Sequence, residues 1–69
     1  MKISARTTLK GKIVEIVKGA TTSHVRIDIG GGTVVTASIT NEAVAELKLE
    51  AGKQAYAVIK ASDVMVGID

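Results

Sequence analysis

An all-β fold, a small barrel carrying one short helix, is what this sequence predicts. Three observations lead there. The chain has 69 residues and 46% of them are hydrophobic, yet it holds no Trp, no Phe and a single Tyr. Its apolar residues are mostly Val and Ile, which are stiff at the first side-chain torsion and suit the pleated surface of a sheet. The apolar pattern alternates along most of the chain and takes a helical period in only one stretch.

Taken in order, the first strand reads over "ISARTTLKGKIVEIVKG", whose second half is rich in β-branched residues. Gly11 falls inside this run, so a bulge or bend is expected there. "GATTS" follows as a loop. "HVRIDI" alternates strictly, with Val25, Ile27 and Ile29 on one face and His24, Arg26 and Asp28 on the other, as in a half-buried strand. The three glycines 30–32 make a hairpin turn, and "TVVTASI" returns as the next strand. "TNEAVAELKL" then changes period. Thr40 or Asn41 can cap a helix by accepting from its first free amides, and Glu42 in the first turn suits the helix dipole. Gly52 marks the turn into "KQAYAVIKA", where Ala57, Ile59 and Ala61 oppose Tyr56, Val58 and Lys60. A last short strand is expected at "VMVGI". The order β-β-β-α-β-β, with short bent strands and the helix before the last long strand, describes an OB-like barrel in one domain over residues 1–69.

A core this small needs help. A domain of this size buries only about 60% of the surface its unfolded chain exposes. Small scaffolds make up the shortfall with disulfides, a structural metal or assembly. There is no Cys, and His24 is the only His, so disulfides and a zinc site are excluded. Assembly with other copies of the chain remains.

Charge and composition exclude further classes. The formal net charge is +2, with basic and acidic residues interspersed. A nucleic-acid-binding OB-like module would carry a basic stripe or stacking aromatics, and one Tyr does not make a stacking platform. No apolar run approaches the roughly 20 residues of a membrane span, and "ISART" after Met1-Lys2 is not a secretory leader. A soluble cytoplasmic protein is the expectation. Glu15, Asp28 and Asp63 supply carboxylates, but nothing pairs them, and no nucleophile–base order or metal-ligand spacing appears, so an enzyme is not expected. "IGGGT" lies between two strands and lacks a following Gly-Lys-Ser/Thr, so it reads as a hairpin and not as a phosphate loop.

The residues that suggest a ligand stand near the two chain ends. Ser4 and Arg6 are two apart, and so are Lys60 and Ser62; on extended backbone each pair shares a face. If the last long strand lies beside the N-terminus, two hydroxyls and two cations meet. All four are hydrogen-bond donors, and charge-assisted donors of this kind recognise an oxyanion. Thr40 and the helix start would add a hydroxyl and free amides.

"ISAR…LKGKIVEIVKGA", "ITNEAVAEL" and "KASDVMV" together resemble the molybdate-binding Mop domain of the molbindin family, over nearly the whole chain from Met1 to Ile68. The resemblance implies an OB-like barrel that assembles into a hexamer, a trimer of dimers, holding molybdate or tungstate between subunits as a cytoplasmic molybdenum store or buffer. At this chain length it implies the free-standing form. It places the oxyanion against Ser4, Arg6 and Lys60, with the amides of Ala5 and Ala61 as further donors. Thr40 and the helix start would reach in from a neighbouring subunit. Where some relatives carry Ser, this chain has Ala43, which leaves only a backbone N–H at that point. Ser62 joins the set on its chemistry. No side chain would coordinate molybdenum itself. The chemistry agrees: molybdate near neutral pH is a dianion with acceptors only, which a donor-only site satisfies, whereas hydrogen phosphate carries a proton that asks for an acceptor. Asp63 is read as a turn or cap group, not a ligand. A purely structural oligomerisation domain is the remaining alternative, and it predicts no response to anions.

Overall fold

The computed structural model describes all 69 residues. Four strands and one helix follow in the order β1 (Thr7–Lys18), β2 (Thr22–Gly30), β3 (Thr33–Thr40), α1 (Asn41–Glu46) and β4 (Gln54–Ile59), and a 3-10 turn covers Ala61–Asp63. The strands form one antiparallel sheet in the order β3-β2-β1-β4. The sheet curls into an OB-like half-barrel, and β3 and β4 stand as its two unpaired edges. No helix is long and apolar enough to cross a membrane.

β1 is the long central strand that pairs with β2 along one half and with β4 along the other. Its register against β2 slips between Ile13 and Glu15, so Val14 is the extra residue of a β-bulge. The bulge reverses the parity of the strand. Leu9, Gly11 and Ile13 face inward before it and Ile16 after it, which explains why "IVEIV" does not alternate. The bulge also turns Glu15 to the outer face, where its carboxylate meets Arg26 across the ladder at 3.3 Å.

Gly11 is therefore not the site of the bulge expected there. A Cβ on it would lie 2.5 Å from the carbonyl oxygen of Asp28 and 2.7 Å from Cγ2 of Ile27. β1 and β2 approach too closely at that point for any side chain. The glycine hairpin holds as expected: Gly30, Gly31 and Gly32 all have positive φ, and Oδ1 of Asp28 accepts from the Gly30 amide at 2.8 Å.

α1 is shorter than the periodicity suggested. Of the two possible caps the structure uses Thr40, whose side chain accepts from the Ala43 amide at 3.1 Å. The helix stops after Glu46 because Lys48 turns left-handed, with φ of 52°. The Leu49 amide then closes back on the Val44 carbonyl, and Nζ of Lys53 takes the Lys48 carbonyl at 2.9 Å.

Two expectations at the chain ends need correction. The first strand begins at Thr7, and Ser4 and Arg6 lie in bent backbone before it. The final strand expected at "VMVGI" does not form within the chain, and residues 64–69 have no regular structure. A strand needs a partner edge, and the chain turns away from the sheet through the 3-10 turn at Ala61–Asp63. The helix-before-last-long-strand order and the barrel class stand.

Only five residues are buried: Ile13, Val25, Ile27, Ala57 and Ser23. The concave face of the half-barrel remains an open apolar trough of about 470 Å³, lined among others by Met1, Ile39, Leu47, Leu49, Ala57 and Val58. The exposed surface is 5449 Å² for 7.1 kDa. A folded monomer of that mass exposes about 4,100 Å². Roughly a quarter of the surface is thus in excess of what a self-sufficient chain leaves open.

Replacing Gly11 by Ala is expected to destabilise the fold by about 1–3 kcal/mol, since the contact atoms include backbone that cannot give way. Urea denaturation checks this, and an unchanged midpoint would show that the β1–β2 crossing has room to spare.

Candidate functional site

The pairing of β1 with β4 ends at Thr7 and Ile59. One step beyond that pair come Arg6 on one segment and Lys60 on the other. The topology thus brings "SAR" and "KAS" to the same end of the sheet, as the sequence reading required. The local conformations differ from that reading. Ser4 and Arg6 sit in bends, and Lys60 is the extended residue that enters the 3-10 turn containing Ala61, Ser62 and Asp63. Alternation along a strand therefore does not orient these side chains; a bend and a turn do. Ser4, Arg6, Lys60, Ala61 and Ser62 are exposed, and Ala5 is half-buried.

Neither Arg6 nor Lys60 has a carboxylate partner, because the two ion pairs are Arg26–Glu15 and Lys53–Glu50. Lack of a partner alone does not distinguish them, since Lys2, Lys10 and Lys12 are unpaired as well. Convergence at one sheet end does. Asp63 closes the 3-10 turn through its backbone, its amide donating to the Lys60 carbonyl at 2.9 Å, and its carboxylate makes no hydrogen bond or ion pair. It behaves as a turn residue.

Thr40 and Ala43 lie elsewhere. Thr40 pairs with Thr22 at the start of β2, and Ser23 beside it pairs with Lys18, the last residue of β1. The helix start therefore sits at the opposite end of β1 from Arg6 and Lys60. Those ends are separated by roughly 35 Å of strand contour. A tetrahedral anion spans a few ångströms, so one copy does not bring both groups to it. The Ala43 amide is moreover already engaged by the Thr40 oxygen. The Thr40 hydroxyl hydrogen remains free to donate outward.

The sequence reading missed one polar cluster. Asn41 is half-buried at the first helical position, and its side chain joins Ser23 and the turn after β1. The available signal was an Asn directly after a competent Thr cap: with the cap position filled, that amide is free to bond elsewhere. No group of three or more His, Cys, Asp or Glu residues is placed to hold a metal ion.

Residues 3–66 match the TOBE domain model. The probable molybdenum-pterin-binding protein of Haemophilus influenzae is 56% identical over 69 residues, covering 100% of both chains. Among solved structures, the molybdate-binding protein from Sporomusa ovata superposes with a TM-score of 0.91 at 38% identity, over 99% of this chain and 100% of that one. The cytoplasmic molybdate-binding protein ModG, with molybdate bound, gives 0.94 at 45% identity over 100% of this chain, which spans 49% of ModG. The chain belongs to the TOBE-domain family, among its molybdenum-pterin-binding (Mop, or molbindin) members.

Proposed function

We propose that this protein binds molybdate or tungstate at the junction between copies of itself and serves, without catalysis, as a cytoplasmic molybdenum store or buffer. The observation that carries the reading is that Arg6 and Lys60 each stand one residue beyond the Thr7–Ile59 pair that closes the sheet, with no carboxylate paired to either. Two cations, the hydroxyls of Ser4 and Ser62 and the amides of Ala5 and Ala61 make a set of donors. A fully deprotonated tetrahedral dianion satisfies such a set, and its charge offsets the repulsion between the two cations. Arg6 offers a planar fork and Lys60 a mobile point charge. Kinship supports the choice of anion, since the relatives are named for molybdenum-pterin or molybdate binding.

A neighbour completes the site in this reading. Thr40 stands at the far end of β1, so its contribution comes from another copy, as does any contribution from the backbone at Ala43. The surface excess supports assembly independently. The apolar trough lies open, and Val64, Met65, Val66 and Ile68 project unpartnered from the C-terminal segment. Six residues of extended chain reach about 20 Å, the length of β4. The C-terminal segment of one copy therefore fits along the open edge and trough of the next, supplying the strand that the chain does not form for itself. A hexamer built as a trimer of such dimers, each chain a single Mop-type domain over residues 1–69, is the assembly we favour.

Arg6→Ala is expected to abolish most of the molybdate-induced rise in Tm, because a ligand that binds only the native state raises apparent stability. Hydrogen bonds to charged groups are worth about 1.5–3 kcal/mol each, so loss of one should lower affinity roughly tenfold to 150-fold. The ligand-free variant should fold as well as the parent or slightly better, one of two like charges having gone. Arg26→Ala, which breaks only an exposed ion pair, should change little. A thermal shift lost in Arg26→Ala and kept in Arg6→Ala would move the site to the outer face of β2 and sink the proposal.

Val66→Asp tests the assembly. Val66 is 93% exposed in one copy, so a charge there costs the isolated chain nothing. Seated in a neighbour's trough it would be an unpaired buried charge. Light scattering should report a smaller particle than the parent. A parent protein that is already a stable monomer would rule out the shared site.

A further inference from the structure

One residue makes the side-chain link between the start of α1 and the turn that joins β1 to β2. The Asn41 backbone amide donates to the Thr21 carbonyl at 2.9 Å. Its Nδ2 donates to the Gly19 carbonyl at 3.0 Å and reaches the Ala20 carbonyl at 3.3 Å. Its Oδ1 accepts from Oγ of Ser23 at 2.5 Å. Ser23 is 1% exposed and is the only buried polar residue of the chain. Its hydroxyl must donate to Asn41, because Oδ1 has no proton to give. That fixes the amide: the oxygen faces the hydroxyl, and the nitrogen faces two carbonyls. Asp could not replace it, since a carboxylate would face those carbonyls with no donor.

α1 has six residues, too few to hold a direction in water by itself. Its orientation comes from the packing of Val44 against the core and from what its start is tied to, and Thr40 is the residue next to that tie. Resting on the function proposed above, we infer that Asn41, locked by Ser23, is a positioning residue that aims the Thr40 hydroxyl toward the neighbouring copy's Arg6–Lys60 pair. Asn41 itself touches no anion in this scheme. Its side-chain oxygen and nitrogen are both engaged within the chain, whereas the Thr40 hydroxyl, though its oxygen caps Ala43, keeps its hydrogen free to donate.

The test uses full-length Asn41→Ala and Ser23→Ala, both neutral changes, with Val35→Ala as a core-weakened control five residues up β3 from Thr40. Molybdate binding is read by calorimetry, apparent stability by thermal melting, and the two halves of the site by the amide resonances of Thr40 and Lys60. In the parent, molybdate should shift both resonances. Asn41→Ala should bind about tenfold more weakly, the effect of about one hydrogen bond's worth of misplacement. Its Thr40 response should shrink while the Lys60 response persists. Ser23→Ala should change both in the same direction and less, and Val35→Ala should lower the melting temperature without changing affinity. Should Asn41→Ala fail to assemble, the smaller Ser23→Ala change decides. Parent-like affinity and an intact Thr40 response in variants that have lost stability would overturn the inference and leave the proposed function standing. A parent protein giving no response to molybdate at either resonance would remove both.

Discussion

The rest of the structure depends on an apolar trough that one copy of the chain leaves uncovered. Ile13, Val25, Ile27 and Ala57 are the only apolar side chains fully buried. Four small-to-medium aliphatic side chains make a thin core for a chain of 69 residues. Leu49, Ile39, Ala55 and Val44 are half-covered and gain fully only when something lies over them. The chain has neither Cys nor aromatic bulk to close the gap. Its curled sheet ends in two open edges, β3 and β4, which are where cover can come from.

In the proposed assembly, cover and function are one matter. β1 is long enough to hold the Arg6–Lys60 end and the Thr40 end far apart, so each copy carries two unlike halves of a site. Association of copies both buries the trough and brings unlike halves together. The anion then sits where two cations would otherwise repel, so binding and assembly favour one another. Charge placement agrees with this division: the ion pairs that do form, Arg26–Glu15 and Lys53–Glu50, lie on the outer face and beyond the helix, away from either half.

Much of this was legible in the residues. Strict alternation in "HVRIDI" gave β2 its inward and outward faces, because a strand with one buried side must alternate. Thr40 and Asn41 together marked the helix start, of which the structure uses Thr40 as the cap, and three consecutive glycines between two strands read as a turn. The misses have physical causes. Gly11 and Val14 both lie in β1, and a sequence cannot distinguish a glycine that relieves a backbone clash from one that marks a bulge. The neighbouring strand's Asp28 carbonyl makes that distinction. The tail at "VMVGI" has the composition of a strand, but a strand forms only by pairing, and beyond the 3-10 turn at Ala61–Asp63 the tail pairs with neither open edge of its own sheet. The β1–β4 ladder ends at Thr7 and Ile59, next to the two segments that hold Ser4, Arg6, Lys60 and Ser62, though the even spacing used to align those four does not apply to a bend and a 3-10 turn. The Asn41–Ser23 clasp joins residues 18 apart and leaves no periodic trace.

The central claim is that anion and assembly share one site. Native mass spectrometry of the full chain, with and without added molybdate, tests it most directly. The account predicts an oligomer, most simply six chains, that takes up molybdate in a fixed ratio to its subunit interfaces, with no anion carried by any monomer released on activation. A folded monomer that binds molybdate by itself, or an oligomer whose mass does not change when molybdate is added, would contradict it.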